Sequence, residues 1–413
     1  MIIESPLELI FRDLFYRVPA FAAGHDVFLK LEGFNVTGSI KVKTAIALVE
    51  DLERRGIAKP DETVMIESSS GNLGLALSLV CAIKGYEFIC VTDPNANRSA
   101  VKSIELYGGK VIIVEQRDAV GGFLGSRLDK IDDLLKQNPN AVWLNQYSNI
   151  ANKNAHADQT AAEIAHEFER VDWVFVGTGT TGTFGGVSER LRDEFPGIKV
   201  VAVEPVGSVT FGGPPGKRSI PGIGTSVRPK LADLAVADRI IAVDEERTVE
   251  TCLSFVRDHH LLVGGSTGSV MAAVQSIASE FRPGETIVAI SPDLGEKYLD
   301  TIYDPQWVAD FISPRIAKTM PAPPVVAPAI DPVDIPDRGD SHVPSYVHEI
   351  PPEILPISLR LRNMIASTNG NGNGNGNGHR NGNGNGNGHR NGNGNGNGNG
   401  NGHKGSGYGA AGE

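Results

Sequence analysis

Residues 173–190 read WVFVGTGTTGTFGGVSER, a continuous apolar run that breaks into a Gly/Thr turn and then opens a helix. The run Trp173–Val176 has no polar alternation, as expected of a strand covered on both faces of a parallel sheet. Gly177, Gly179 and Gly182 let the backbone fold tightly. Thr178, Thr180, Thr181 and Thr183 add hydroxyls beside helix-start N–H groups, a combination suited to an anion. The turn has no Walker lysine and no clean GxGxxG. Its threonines favour a phosphate monoester, although the loop alone also fits a mononucleotide or dinucleotide.

The same pattern recurs on both sides. VMIES (64–68), FICVT (88–92), KVIIV (110–114), KVVAVEP (199–205) and TIVAIS (286–291) are Val/Ile-rich runs alternating with helical stretches. Strand–helix alternation predicts an α/β fold with right-handed crossovers and two parallel sheets within about 315 residues. The composition changes near residue 318. MPAPPVVAPAIDPVDIPDRGD (320–340) belongs to a Pro-rich linker expected over 319–356,. A short amphipathic helix is expected over 357–368. From Asn369 to Glu413 an Asn-Gly repeat, interrupted by His-Arg and His-Lys pairs, has too little apolar surface to fold and is expected to be disordered,.

The 413 residues carry a formal net charge of −11, which argues against a general nucleic-acid surface,. No apolar run reaches membrane-spanning length, and the start MIIESPLELIFRDL has no signal-peptide pattern,. Cys81, Cys90 and Cys252 are scattered without CxxC spacing, which predicts buried free thiols in a reducing cytoplasm and no metal site,.

Three further loops carry chemistry. In EGFNVTGSIKVKTAIALVEDLERRG (32–56), Lys41 opens an amphipathic helix. The macrodipole and unpaired N–H groups there disfavour an ammonium and favour a nucleophilic amine. In ESSSGNLGLALSLVCAIKG (67–85), Ser68, Ser69, Ser70, Gly71 and Asn72 lie between a strand and a helix, where hydroxyls and amides can cradle a carboxylate,. Ordinary capping accounts for one serine. In LLVGGSTGSVMAAV (261–274), Leu261–Val263 reads as a short strand and Ser266 as an N-cap.

Taken in order, Lys41 after Asn-x-x-Gly-Ser, then Ser-Gly-Asn, Gly-Thr-Gly-x-Thr and Gly-Ser-x-Gly, this set resembles the fold-type II pyridoxal-phosphate-dependent family of cysteine synthase and cystathionine β-synthase. The resemblance implies a tryptophan-synthase-β-like architecture over residues 1–318. It comprises two interleaved parallel-sheet α/β subdomains, the smaller over about 45–150,. Lys41 would carry pyridoxal 5′-phosphate as a Schiff base and move the substrate's α-proton. Asn72 would bond the cofactor's 3′ oxygen, and Gly177, Thr178, Gly179, Thr180 and Thr181 its phosphate. Ser266 would face the pyridine nitrogen. Ser69, Ser70, Gly71 and Gln146 would hold the substrate carboxylate. A cytoplasmic homodimer acting on small amino acids is implied as well.

Around the lysine the chain reads Ser-Ile-Lys-Val-Lys, not the Ser-x-Lys-Asp-Arg of cysteine synthases. With SVTFGGPPGKRSIPGIGTS (208–226) and SPDLGEKYLDTIY (291–303), this is similar to the 2,3-diaminopropionate branch. That branch joins O-phosphoserine to the amine of glutamate. Lys217 and Arg218 are candidate cations for the departing phosphate, or else surface loop residues. Arg228 is a second candidate with weaker placement. Arg127, Arg98 and Tyr147 are candidates for the acceptor side. A cysteine synthase using sulfide with O-acetylserine or O-phosphoserine, and a non-catalytic scaffold on the same fold, are the alternatives.

Overall fold

A computed structural model of the chain describes residues 3–320, apart from 23–24, 70 and 119–121. Ser70, the short helix, the tail and all but the first two residues of the expected linker lie outside the described residues.

Two sheets organise this region. One has six strands: β1 (Phe15–Ala22), β2 (His25–Leu31), β7 (Trp173–Gly177), β8 (Lys199–Pro205), β9 (Arg239–Val243) and β10 (Thr286–Ser291). Their spatial order is β1-β2-β10-β7-β8-β9. Only the β1–β2 pair is antiparallel. The other sheet is parallel throughout, built from β3 (Val64–Ser68), β4 (Glu87–Thr92), β5 (Lys110–Ile113) and β6 (Ala141–Trp143) in the order β5-β4-β3-β6.

The runs read as strands from sequence fall on β3, β4, β5, β7, β8 and β10. Central strands β8 and β10 are buried along nearly their whole length. Each such Val or Ile contributes on the order of 1.5–3 kcal/mol of transfer free energy. The expected strand at Leu261–Val263 does not form. Only Val263 bridges, to Leu294, because the chain passes from the left-handed residue His260 almost directly into the next helix.

The helices that carry the loops are α1 (Lys41–Arg54), α2 (Asn72–Lys84), α3 (Arg98–Leu106), α4 (Leu124–Gln137), α5 (Ile150–Ala155), α6 (Ala162–Glu167), α7 (Gly182–Glu194), α8 (Glu245–His259) and α9 (Gly265–Ser276). A π-helical segment, His156–Ala161, joins α5 to α6. The start of α9 is buried without a break from Gly265 to Val274, so this helix has no solvent face there.

A buried ion quartet fixes α1. Lys43 Nζ lies 2.9 Å from Glu32 Oε1 and 2.7 Å from Glu163 Oε2. Lys30 Nζ lies 2.8 Å from the same Glu163 oxygen and donates to Arg12 O at 2.6 Å. Asn35 donates to the second Glu32 oxygen at 2.7 Å. The network joins β2, α1 and α6. Replacing Lys43 with methionine leaves two carboxylates sharing a single cation, and should lower stability by about 3–5 kcal/mol in urea unfolding. A loss below about 1 kcal/mol would show that the quartet does not hold the helix.

Candidate functional site

The C-terminal ends of β3, β7 and β10 lead into loops that meet at the first turns of α1, α2 and α9. Lys41 is the first residue of α1, and Ile40 N–H donates to Pro292 O at 2.8 Å. Ser39 pairs with Asp293 in an isolated antiparallel bridge. Burial lowers the pKa of the Lys41 ammonium, and the Asp293 carboxylate works against that shift. Desolvation is therefore the main cause, where the sequence pointed to the helix dipole. Among the described residues the Lys41 amine makes no hydrogen bond or ion pair.

Asn72, first in α2, is held from both ends. Its Nδ2 donates to Asp293 Oδ2 at 2.6 Å, and its Oδ1 accepts from Lys297 Nζ at 2.7 Å. Lys297 also donates to the carbonyls of Thr37 and Gly38, at 2.9 and 3.1 Å. Tyr298 donates a short bond to Asp293 Oδ2. Asp293, Lys297 and Tyr298 were not singled out from sequence. The signal that could have found them is the polar SPDLGEKY segment directly after the β10 run.

Behind α2, Ser69 Oγ accepts from Gly74 N–H at 2.9 Å and Gly71 N–H at 3.3 Å, so this hydroxyl caps the helix and keeps its own proton to donate,. Gln146 Nε2 donates to Ser68 O at 2.8 Å, and Gln146 N–H to Glu67 Oε2 at 3.1 Å. Ser68 Oγ is buried without a partner among the described residues. Glu67 is fully buried. Burial pushes its carboxyl up to about 7, against the pull of the Ser68 and Gln146 amides.

The Gly/Thr turn joins β7 to α7. Thr178 is tied to the neighbouring strand, its N–H and Oγ donating to Val203 O at 2.8 and 3.1 Å. Its hydroxyl proton is thus committed. The N–H groups of Gly179, Thr180, Thr181 and Gly182 have no acceptor among the described residues. Thr181 adopts a left-handed φ of 65°. Gly182 packs so closely on the Asn152 side chain that a Cβ would collide with it.

Asn152 donates to Gln146 O at 2.8 Å and Thr180 Oγ at 3.1 Å, and accepts from Thr44 Oγ at 3.1 Å. His156 Nε2 lies 3.0 Å from Thr44 Oγ and 3.2 Å from Thr183 Oγ. Burial, with the Lys41 and Lys43 charges, holds its pKa well below the usual imidazole range, so the ring is neutral. The π-helical segment thereby couples the Gly/Thr turn to the helix of Lys41.

Ser266 is buried in the first turn of α9. Arg218 is partly buried, donating to Ser226 Oγ at 2.7 Å and Ile223 O at 3.4 Å, with Nε left unpaired. Lys217 is exposed, its ammonium 5.9 Å from the Phe311 ring centroid. Arg228 is engaged by Asp233 at 3.0 Å and by Thr210 O at 2.8 Å. Burial raises the Tyr147 pKa, with the Arg127 and Arg218 charges opposing. Arg127 pairs with Asp93 at 3.2 Å and keeps an unpaired Nε. Arg98 is exposed on α3.

Free loop amides, an unpaired lysine amine within electrostatic reach of the Asp293 carboxylate, and a buried serine at the α9 start fit a phosphorylated aldehyde cofactor,. Residues 9–293 match the model of the pyridoxal-phosphate-dependent enzyme family. The chain is 40% identical over 291 residues to N-(2-amino-2-carboxyethyl)-L-glutamate synthase of Ralstonia nicotianae (strain ATCC BAA-1114 / GMI1000), covering 70% of this chain and 86% of that protein. Among solved structures, O-ureido-L-serine synthase is 32% identical with a TM-score of 0.68, over 75% of this chain and 100% of the other. A hydrogen sulfide-producing enzyme of Fusobacterium nucleatum is 31% identical with a TM-score of 0.68, over 72% and 100%. The chain thus belongs to the pyridoxal-phosphate-dependent enzyme family, as a β-replacing transferase of the cysteine-synthase type with pyridoxal 5′-phosphate as its cofactor.

Proposed function

We propose that the chain condenses O-phospho-L-serine with L-glutamate, releasing inorganic phosphate and forming N-(2-amino-2-carboxyethyl)-L-glutamate, a precursor of 2,3-diaminopropionate for siderophore or peptide-antibiotic biosynthesis. The similarity to the Ralstonia synthase over most of its length carries this reading. The partly buried cation Arg218 supports it from the site, since its charge and that of Arg127 both act on the buried Tyr147 hydroxyl. A phosphoserine and a glutamate together bring a phosphate and three carboxylates, and need more cationic capacity than sulfide and an acetylated serine.

Lys41 would hold the cofactor and, once freed, take the substrate's α-proton and return it to Cα after the new bond to Cβ has formed. Asn72 orients the cofactor's 3′ oxygen. Gly177, Thr178, Gly179, Thr180 and Thr181 form the phosphate loop: the free amides of Gly179, Thr180 and Thr181 grip the phosphate, while Thr178 anchors the loop to Val203 O. Ser266 faces the ring nitrogen. When bound, pyridoxal phosphate supplies the electron sink for carbanion chemistry. Ser69, Ser70, Gly71 and Gln146 hold the α-carboxylate. Arg218 binds the leaving phosphate, and the exposed Lys217 adds long-range attraction. The Cβ–O bond breaks, the glutamate nitrogen bonds to Cβ, and that nitrogen loses a proton. The family resemblance supports a homodimer acting in the cytoplasm. A second reading is β-replacement with sulfide as the nucleophile, as in the cysteine synthases that the sequence resembles.

Supplying O-phosphoserine with glutamate and sulfide in competition, and weighing the products by mass spectrometry, separates the two readings. The glutamate adduct should dominate, and faster cysteine formation would reject the proposal. Arg218→Ala should lower kcat/KM for O-phosphoserine by roughly 10- to 100-fold while sparing O-acetylserine. Equal losses on both donors would remove Arg218 from the phosphate site.

A further inference from the structure

Asp293 lies where three helix starts converge. Its backbone pairs with Ser39, two residues before Lys41, and its Oδ2 accepts from Asn72 and Tyr298. Its Oδ1 is buried and has no hydrogen-bond partner among the described residues. That oxygen rests against Gly264, where a Cβ would collide with it, two residues before Ser266. A buried carboxylate oxygen left unpaired is costly unless an occupant of the site supplies a proton. Lys41, across the same junction, has an amine without a partner among the described residues. The two unsatisfied groups are complementary.

We infer that Asp293 is the counter-ion of Lys41: Oδ1 accepts the proton-bearing nitrogen of that lysine and sets the pH at which the nitrogen releases its proton. This rests on the reading of Lys41 as the residue that carries the cofactor. Asp293 is a positioning residue in this account. It moves no atom of the substrate, and it holds Asn72 and the Lys41 nitrogen in one frame.

The surrounding charges are consistent with that role. Lys297 is committed to Asn72 and to the Thr37 and Gly38 carbonyls, so it does not neutralise Oδ1 directly. The Tyr298 hydroxyl stays protonated, its pKa raised well above the usual phenol range by burial and by Asp293 itself. The Cys252 thiol is pushed up to about 12 by burial, and His156 is neutral. Burial raises the Asp293 pKa, while Tyr298, Lys297, Asn72 and Lys41 all favour its ionised form.

The test titrates the visible absorbance of the cofactor-loaded protein with pH, in wild type and Asp293→Asn. The asparagine keeps the shape and an acceptor for Asn72 but removes the charge. Loss of the counter-ion should move deprotonation of the lysine-linked nitrogen to lower pH by about one unit or more. A variant band that titrates below a wild-type band still protonated at the alkaline limit supports the inference equally. Coincident titrations, or two bands that both fail to titrate, overturn it. Should Asp293→Asn not fold, Gly264→Ala displaces the same oxygen from the other side and should shift the titration in the same direction. Lys41→Ala provides the separating control. Cofactor still fixed by borohydride in that variant would reject the Lys41 assignment itself, whereas a lost linkage with an unshifted Asp293→Asn titration would reject only the counter-ion.

Discussion

A primary amine is a nucleophile only when it is uncharged, and the role proposed for Lys41 depends on keeping it out of water. Burial disfavours its ammonium form, and one carboxylate, Asp293, opposes that shift,. The opposition is what makes the arrangement useful. A lysine with no counter-charge would not readily carry a proton between steps, and one fully paired with a carboxylate would stay an ammonium. An isolated bridge between Ser39 and Asp293 brings the two groups to one junction with little freedom.

The loops around Lys41 are held from behind by buried polar groups rather than by each other. Asn152 and His156, on one helical stretch, reach both α1 through Thr44 and the Gly/Thr turn through Thr180 and Thr183. Glu67 ties Gln146 to the Ser68 amide under the proposed carboxylate cradle. Satisfied networks of this kind rigidify what they touch, and a loop that grips an anion through amides needs its geometry fixed before the anion arrives.

The central strands were legible because they are buried on both faces, so their sequences are unbroken apolar runs. β6 is only three residues long, β9 is an edge strand with most of its residues exposed or half-exposed, and β1 carries Pro19, which only an edge tolerates, so none of the three stood out as a strand,. In β2 the buried Lys30 interrupts the pattern, and its partners Glu32 and Glu163 include one 133 positions away (163 − 30). No local reading could pair them. The loop residues were legible because glycine, serine and threonine cluster beside helix starts. Asp293 was not, because an acid after a strand reads as an ordinary turn until burial shows one oxygen unpaired. Lys217 and Arg218 looked equivalent as neighbours, and only the fold separates the exposed lysine from the partly buried arginine.

The account stands on a covalent bond between Lys41 and the cofactor. Borohydride reduction of the cofactor-loaded protein, followed by proteolysis and peptide mass spectrometry, locates that bond directly. The account predicts one pyridoxyl-modified peptide, carrying the group on Lys41. Modification of Lys43, Lys297 or another lysine in its place, or no stable adduct at all, would contradict it.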